Sequence, residues 1–193
     1  MRPIATDTHD FPSMRRDGCI YVDKTMFIHR LVTTVGSKLF FLSRPRRFGK
    51  SLTVSALKAL FGGRRELFEG LAIDKTDWSW EKYPIIHFEF NDLDTIDIPA
   101  FEKSLAWHVE RKLSEAGYSF DKTISPADNF GCAIESLSAA NGGKGVVILI
   151  DEYDAPVGHC LDDIAKAEAA LLHRTCVFLQ LSHRGQSPCV FQG

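Results

Sequence analysis

The 193-residue sequence contains no apolar run near the roughly 20 residues needed to span a bilayer; its longest, residues 39–42 and 146–150, stop far short. A membrane-spanning helix is therefore excluded. Its five cysteines, Cys19, Cys132, Cys160, Cys176 and Cys189, make no CxxC pair and no Cys/His cluster at zinc spacing. They read as reduced thiols and argue against a disulfide framework or a zinc module. Residues 1–17 lack the apolar stretch of a secretory signal, so a cytoplasmic location is expected. Charge of one sign is missing too: 23 basic against 25 acidic side chains leave a formal net charge of -2. With no global field drawing the chain to nucleic acid or membrane, any electrostatic function must be local.

Repeats and low-complexity tracts are also absent, and 45% hydrophobic with 25% charged residues is ordinary globular composition. One domain over residues 1–193 is expected. Within it, residues 39–42 form a short continuous apolar run of the kind buried in a parallel sheet. From Ser51, the spacing of Leu52, Val54, Ala56, Leu57, Leu60 and Phe61 predicts a helix, stopped at Gly62-Gly63. Residues 84–90 predict a second strand, 99–117 and 128–140 two helices, and 145–150 a third, strongly apolar strand. Upstream, Phe27, Ile28, Leu31 and Val32 follow an Asp23-Lys24-Thr25 turn at helical spacing. Strands alternating with helices imply an α/β fold with a parallel sheet and flanking helices in three layers.

Between the first strand and its helix stands Ser43-Arg44-Pro45-Arg46-Arg47-Phe48-Gly49-Lys50-Ser51-Leu52. Backbone N–H groups at a helix start are unpaired and lie at the positive end of the helix dipole, so Arg46 to Leu52 form a candidate nucleotide-binding loop. Gly49 allows close approach of a phosphate, Lys50 reaches the β- and γ-phosphates, and the Ser51 hydroxyl is a Mg²⁺ ligand. A Gly-Lys-[Ser/Thr] triplet arises by accident in about one chain in ten of this length, so its strand-and-helix context carries the weight. The usual loop also begins with a glycine where this chain has Arg44.

The third strand ends in Asp151-Glu152 after five apolar residues. A carboxylate at the carboxyl end of a central parallel strand sits in the crevice where open α/β sheets bind ligands. Asp151 is thus a second candidate Mg²⁺ ligand, and Glu152 the base that polarises an attacking water. Together with Lys50, these residues suit ATP hydrolysis.

Taken in order, Tyr21-Val22-Asp23-Lys24-Thr25, Arg44-Pro45-Arg46-Arg47-Phe48-Gly49-Lys50-Ser51 and Leu149-Ile150-Asp151-Glu152-Tyr153-Asp154-Ala155-Pro156 resemble the bacterial AAA-ATPase-like family. The likeness runs from about Phe11 to Pro156 and includes the arginine-rich loop without its first glycine. It implies a P-loop NTPase of the additional-strand, catalytic-glutamate class, with ATP and Mg²⁺ as cofactors. It further implies a nucleotide-binding core at 38–156, preceded by an extension over 1–37 and followed by a helical region and chain end over 157–193. Many members resemble fusions with a PD-(D/E)XK nuclease-like domain, which is not expected within these 193 residues. Residues 21–25 lie where related ATPases surround the adenine.

In that class the sheet order is 5-1-4-3-2. Counting along this chain leaves Cys189-Val190-Phe191 for strand four and nothing for strand five, so the expectation is a sheet incomplete at the carboxyl end. An unpaired edge on strand one points to a truncated product, a homo-oligomer or a completing partner chain. The alternative function is then a non-catalytic nucleotide-binding or interaction module. A nucleic-acid-associated ATPase would need a basic face broader than Arg44, Arg46 and Arg47. Those arginines either contact phosphate, in this subunit or a neighbour, or pair with Asp154 or Asp23. Trp78, Trp80 and Tyr83 are read as packing, His87 and His108 as structural, and Cys160 and Cys176 as buried thiols in a helix over 161–181.

Overall fold

A computed structural model describes residues 3–4, 9–34, 39–42, 48–91, 93, 98–152 and 189–192. Arg44, Arg46, Arg47, residues 153–156 and the helix expected over 161–181, with Cys160 and Cys176, lie outside them. The chain runs through α1 (Phe11–Arg16), α2 (Thr25–Thr33), β1 (Leu39–Phe41), α3 (Lys50–Phe61), β2 (Ile85–Glu89), α4 (Ile98–Glu115), α5 (Pro126–Ala140), β3 (Val147–Asp151) and β4 (Cys189–Gln192). The four strands are parallel, in the order β1-β4-β3-β2. The last strand counted from the sequence therefore inserts beside the first, as strand four of a 1-4-3-2 order. Among the described residues, no strand lies on the other side of β1.

All five residues of β3 are buried, because helices cover both faces of the sheet. Alternation along a strand sends successive side chains to opposite sides. Val147 and Leu149 join Val54, Leu57, Leu60 and Phe61 of α3 in one core. Val146, Ile148 and Ile150 join Ile86 and Phe88 of β2, Val109 and Leu113 of α4, and Phe130 and Ile134 of α5 in the other. A strand buried on both faces has to be apolar at every position, which is why 146–150 reads as an unbroken run.

Local chemistry bounds the helices: α3 stops at Gly62-Gly63 as the sequence predicts, whereas α5 begins at Pro126, ahead of the predicted 128. At the end of α3, Gly63 takes φ +67 and the Arg64 N–H donates to Ala59 O at 3.1 Å, closing the last turn. A Cβ on Gly63 would also meet Lys82 Cγ and Trp80 O, each at 2.9 Å. Ser125 caps α5 by accepting from the Asp128 N–H at 3.1 Å, and Pro126 opens the first turn. Trp78, Trp80 and Tyr83 pack against the α3 core, edge-on or tilted to Phe61 and Phe68 at centroid distances of 5.2–5.8 Å. His108 is buried at 4% exposure.

The segment before β1 is integral to the α3 core. Phe11 is fully buried in α1, whose start is tied to α3: the Phe11 N–H donates to Ser55 Oγ at 3.0 Å, and Ser55 Oγ to Asp10 at 3.2 Å. Arg15 donates to the carbonyls of Leu67 and Glu69, both at 2.7 Å. Asp23 accepts from the Thr25 N–H and hydroxyl at 2.8 and 2.6 Å, and from the Ala72 N–H at 2.7 Å. Fully buried Thr25 in turn accepts from the Ile73 N–H at 3.1 Å. Asp23 and Thr25 therefore clamp α2 to the 3₁₀ turn Ala72–Lys75.

Burial raises the Asp23 pKa, but the hydrogen bonds from Thr25 and Ala72, with the Arg15 charge, outweigh it and hold the carboxyl below its ordinary value. A depressed folded pKa means that this contribution is complete above about pH 4, the unfolded carboxylate range, and is lost as pH falls through the folded value. Asp23→Ala is expected to cost about 1–2 kcal/mol in urea unfolding at pH 7, with a smaller difference from wild type at pH 3.

Candidate functional site

Parallel strands carry all their carboxyl ends to one edge of the sheet, the edge at which β3 ends in Asp151. Along the register, Phe41 of β1 pairs with Gln192 of β4, which pairs with Ile150 of β3. The ends of β1 and β3 are thus level, with one strand between them, roughly 10 Å apart at ordinary strand spacing. Asp151 is the last residue of β3. It belongs to the same alternating set as Val147 and Leu149, on the face that α3 covers.

Gly49 precedes α3 in the left-handed region, φ +75 and ψ 32, which few residues other than glycine adopt freely. Its carbonyl is held twice, by the Thr53 N–H at 3.0 Å and the Thr53 hydroxyl at 2.8 Å. Lys50, Ser51 and Leu52 follow as the first helical residues, whose N–H groups have no carbonyl one turn back to bond. No acidic side chain occupies this turn, and Lys50 places a positive charge where the dipole disfavours one. An anion at this end would reverse that penalty. Phe48, beside Gly49, is 61% exposed.

At the end of β3 Asp151 is buried, 6% exposed, and its Oδ1 accepts from the Glu152 N–H at 3.0 Å. Glu152 is half-buried and has φ +52, one of two non-glycine residues with positive φ among those described. The two hard oxygen donors nominated from the sequence are the Ser51 hydroxyl, in the first turn of α3, and the Asp151 carboxylate, at the end of β3. That set fits Mg²⁺, which takes one or two protein oxygens and completes its octahedron with water and substrate phosphate. Among the described residues, no group of three or more His, Cys, Asp or Glu could hold a metal ion.

The fold adds residues that sequence reasoning did not nominate. Glu89 pairs with Asp151 in the β2–β3 register, so two carboxylates end adjacent strands on one face. Thr53, read from the sequence only as a helix position, secures Gly49. Within residues 21–25, Asp23 and Thr25 hold residues 72 and 73.

His87 lies one alternation below Glu89, its Nδ1 3.7 Å from Glu89 Oε1. Its Nε2 is buried with no hydrogen-bond partner. Burial first, then the Lys58 charge and more weakly Lys112, push its pKa down to about 4 against the opposing pull of Asp151 and Glu115. The ring is therefore neutral at pH 7. Because the unfolded histidine titrates near 6.5, the unfolded state takes up this proton first, and stability falls as pH drops from about 6.5 to about 4. Expected is a loss on the order of 3 kcal/mol across that window, reduced in His87→Leu, as read by urea unfolding at pH 7.0 and 4.5.

The chain matches the family described as "Predicted AAA-ATPase" over residues 3–186. It is also similar to a protein of Azotobacter chroococcum mcd 1 described as "Uncharacterized protein in vnfD 5'region", 37% identical over 170 residues. That alignment covers 87% of this chain and 31% of the relative, so the chain spans about a third of the curated protein it matches. No solved structure matches it. No helix among the described residues is long and apolar enough to cross a membrane.

Proposed function

We propose that this chain, which belongs to the predicted AAA-ATPase family, is a three-layer P-loop domain that binds ATP with Mg²⁺ and hydrolyses it. One observation supports the proposal: Gly49-Lys50-Ser51 begins the helix that follows β1 and packs on β3, Asp151-Glu152 ends β3, and a single strand lies between β1 and β3. The order β1-β4-β3-β2 supports the additional-strand class, in which the phosphate loop and the acidic strand end have this spacing.

In this reading the N–H groups of Lys50, Ser51 and Leu52 bind phosphate oxygens, and Gly49 gives the backbone its close approach. Lys50 neutralises charge on the outer phosphates, in the bound nucleotide and as charge shifts during transfer. Ser51 and Asp151 hold Mg²⁺, which when bound draws charge from the phosphate oxygens. Glu152 orients and polarises the attacking water. Arg46 and Arg47 flank the phosphates; Arg47→Ala lowering affinity or turnover would support that contact. The site is assigned to a cytoplasmic enzyme whose other partners are further copies of the chain or a separate protein.

The experiment is Mg-dependent phosphate release from ATP by the purified protein, run beside equilibrium binding of a fluorescent ATP analogue. Binding that needs Mg²⁺, with turnover above the buffer rate, is the expected outcome. Absence of nucleotide binding would overturn the proposal, and binding without turnover would favour the non-catalytic module.

A further inference from the structure

Asp151 and Glu152 are adjacent, and adjacent residues of an extended strand face opposite sides of a sheet. If β3 continued unbroken, residue 152 would fall on the side of Ile150, over the α4–α5 core, away from Asp151 and α3. The chain leaves the extended conformation at that residue: Glu152 is left-handed, φ +52. Glutamate has no preference for this region, so the conformation needs support from its surroundings. Asp151 supplies two anchors. Its carbonyl accepts from the Phe90 N–H at 3.2 Å, tying the end of β3 to the end of β2. Its buried Oδ1 accepts from the Glu152 N–H at 3.0 Å, across the peptide that begins the turn.

We infer that Asp151, besides its place at the metal site, is the positioning residue for Glu152: its carboxylate holds the left-handed turn that brings two neighbouring residues of one strand to the same reaction centre. The inference rests on the ATPase reading for its catalytic consequence, while the conformational coupling stands independently. Oδ1 serves the turn while the same carboxylate is assigned to the metal, so loss of the side chain affects both ion binding and the aim of the base.

Two measurements test this. In thermal unfolding, Glu152→Gly, which relieves the left-handed strain, should melt roughly 2–4 °C above Glu152→Ala. In an Asp151→Ala background the difference should shrink below about 1 °C, because the turn is no longer held; Asp151→Asn, which keeps an acceptor oxygen, should preserve it. An equal Gly-over-Ala gain in the Ala and Asn backgrounds, or no gain in wild type, overturns the inference. In turnover, Asp151→Asn at saturating Mg²⁺ should recover a kcat at least about tenfold above that of Asp151→Ala, with the Asn defect confined to a raised metal requirement. Equal kcat values for the two variants, with wild type active, would also overturn it. If wild type turns over no ATP while the melting differences appear, the ATPase reading fails and the positioning role remains.

Discussion

Glu152→Gln is expected to lower Mg-dependent ATP turnover by about 10²–10⁴-fold while nucleotide affinity stays within about threefold of wild type. The amide keeps the size of the side chain but cannot take a proton from water, so the loss falls on kcat. Glu152 stands at the end of a strand pinned on one side by β2 and on the other by β4, and its backbone turn is independent of the carboxylate. The variant should therefore retain the wild-type melting temperature. Single-turnover phosphate release beside binding of the fluorescent ATP analogue separates the two effects. A variant hydrolysing ATP at the wild-type rate would remove Glu152 from the chemistry.

Lys50→Ala should act in the opposite place, on binding. A charge-assisted contact from an ammonium to phosphate is worth about 1.5–3 kcal/mol, so ATP affinity should fall roughly 10- to 150-fold. The fold should be unharmed, since Lys50 occupies the first turn of α3, ahead of the buried run that begins at Val54. Removing a positive charge from a helix N-terminus should even raise the melting temperature slightly in the absence of nucleotide, by the release of an unfavourable dipole interaction. A stabilised variant with weakened binding is the signature of a residue retained for its ligand. Unchanged affinity would take the phosphate site away from α3.

Much of the architecture is legible in the sequence where the pattern is local. The 146–150 run announces a strand covered on both faces, and α3 is bounded by its own spacing and by Gly62-Gly63. The packing of Trp78, Trp80 and Tyr83 against the α3 core, each only partly buried, follows from aromatic size. By contrast, α1 has six residues and only Phe11 and Met14 buried, too short to show a period. It holds through Ser55, Leu67 and Glu69, more than 40 residues away. The 21–25 motif carries a family expectation of nucleotide proximity; within it Asp23 and Thr25 bind the backbone at 72 and 73, a pairing that no spacing rule reveals.

The chemistry at the candidate site divides along the same line. Residue type and neighbours determine that Gly49-Lys50-Ser51 can start a helix at a phosphate and that Asp151-Glu152 can end a strand in carboxylates, because capping and dipoles act within a turn. The place of β4 between β1 and β3 already follows from the strand order that the family resemblance implies; only the tertiary structure decides that Glu89 ends beside Asp151 and that Glu152 turns left-handed. Those outcomes depend on strand order and register, where a slip of one residue exchanges the faces of an entire strand, and register is settled by the two cores packed against the sheet.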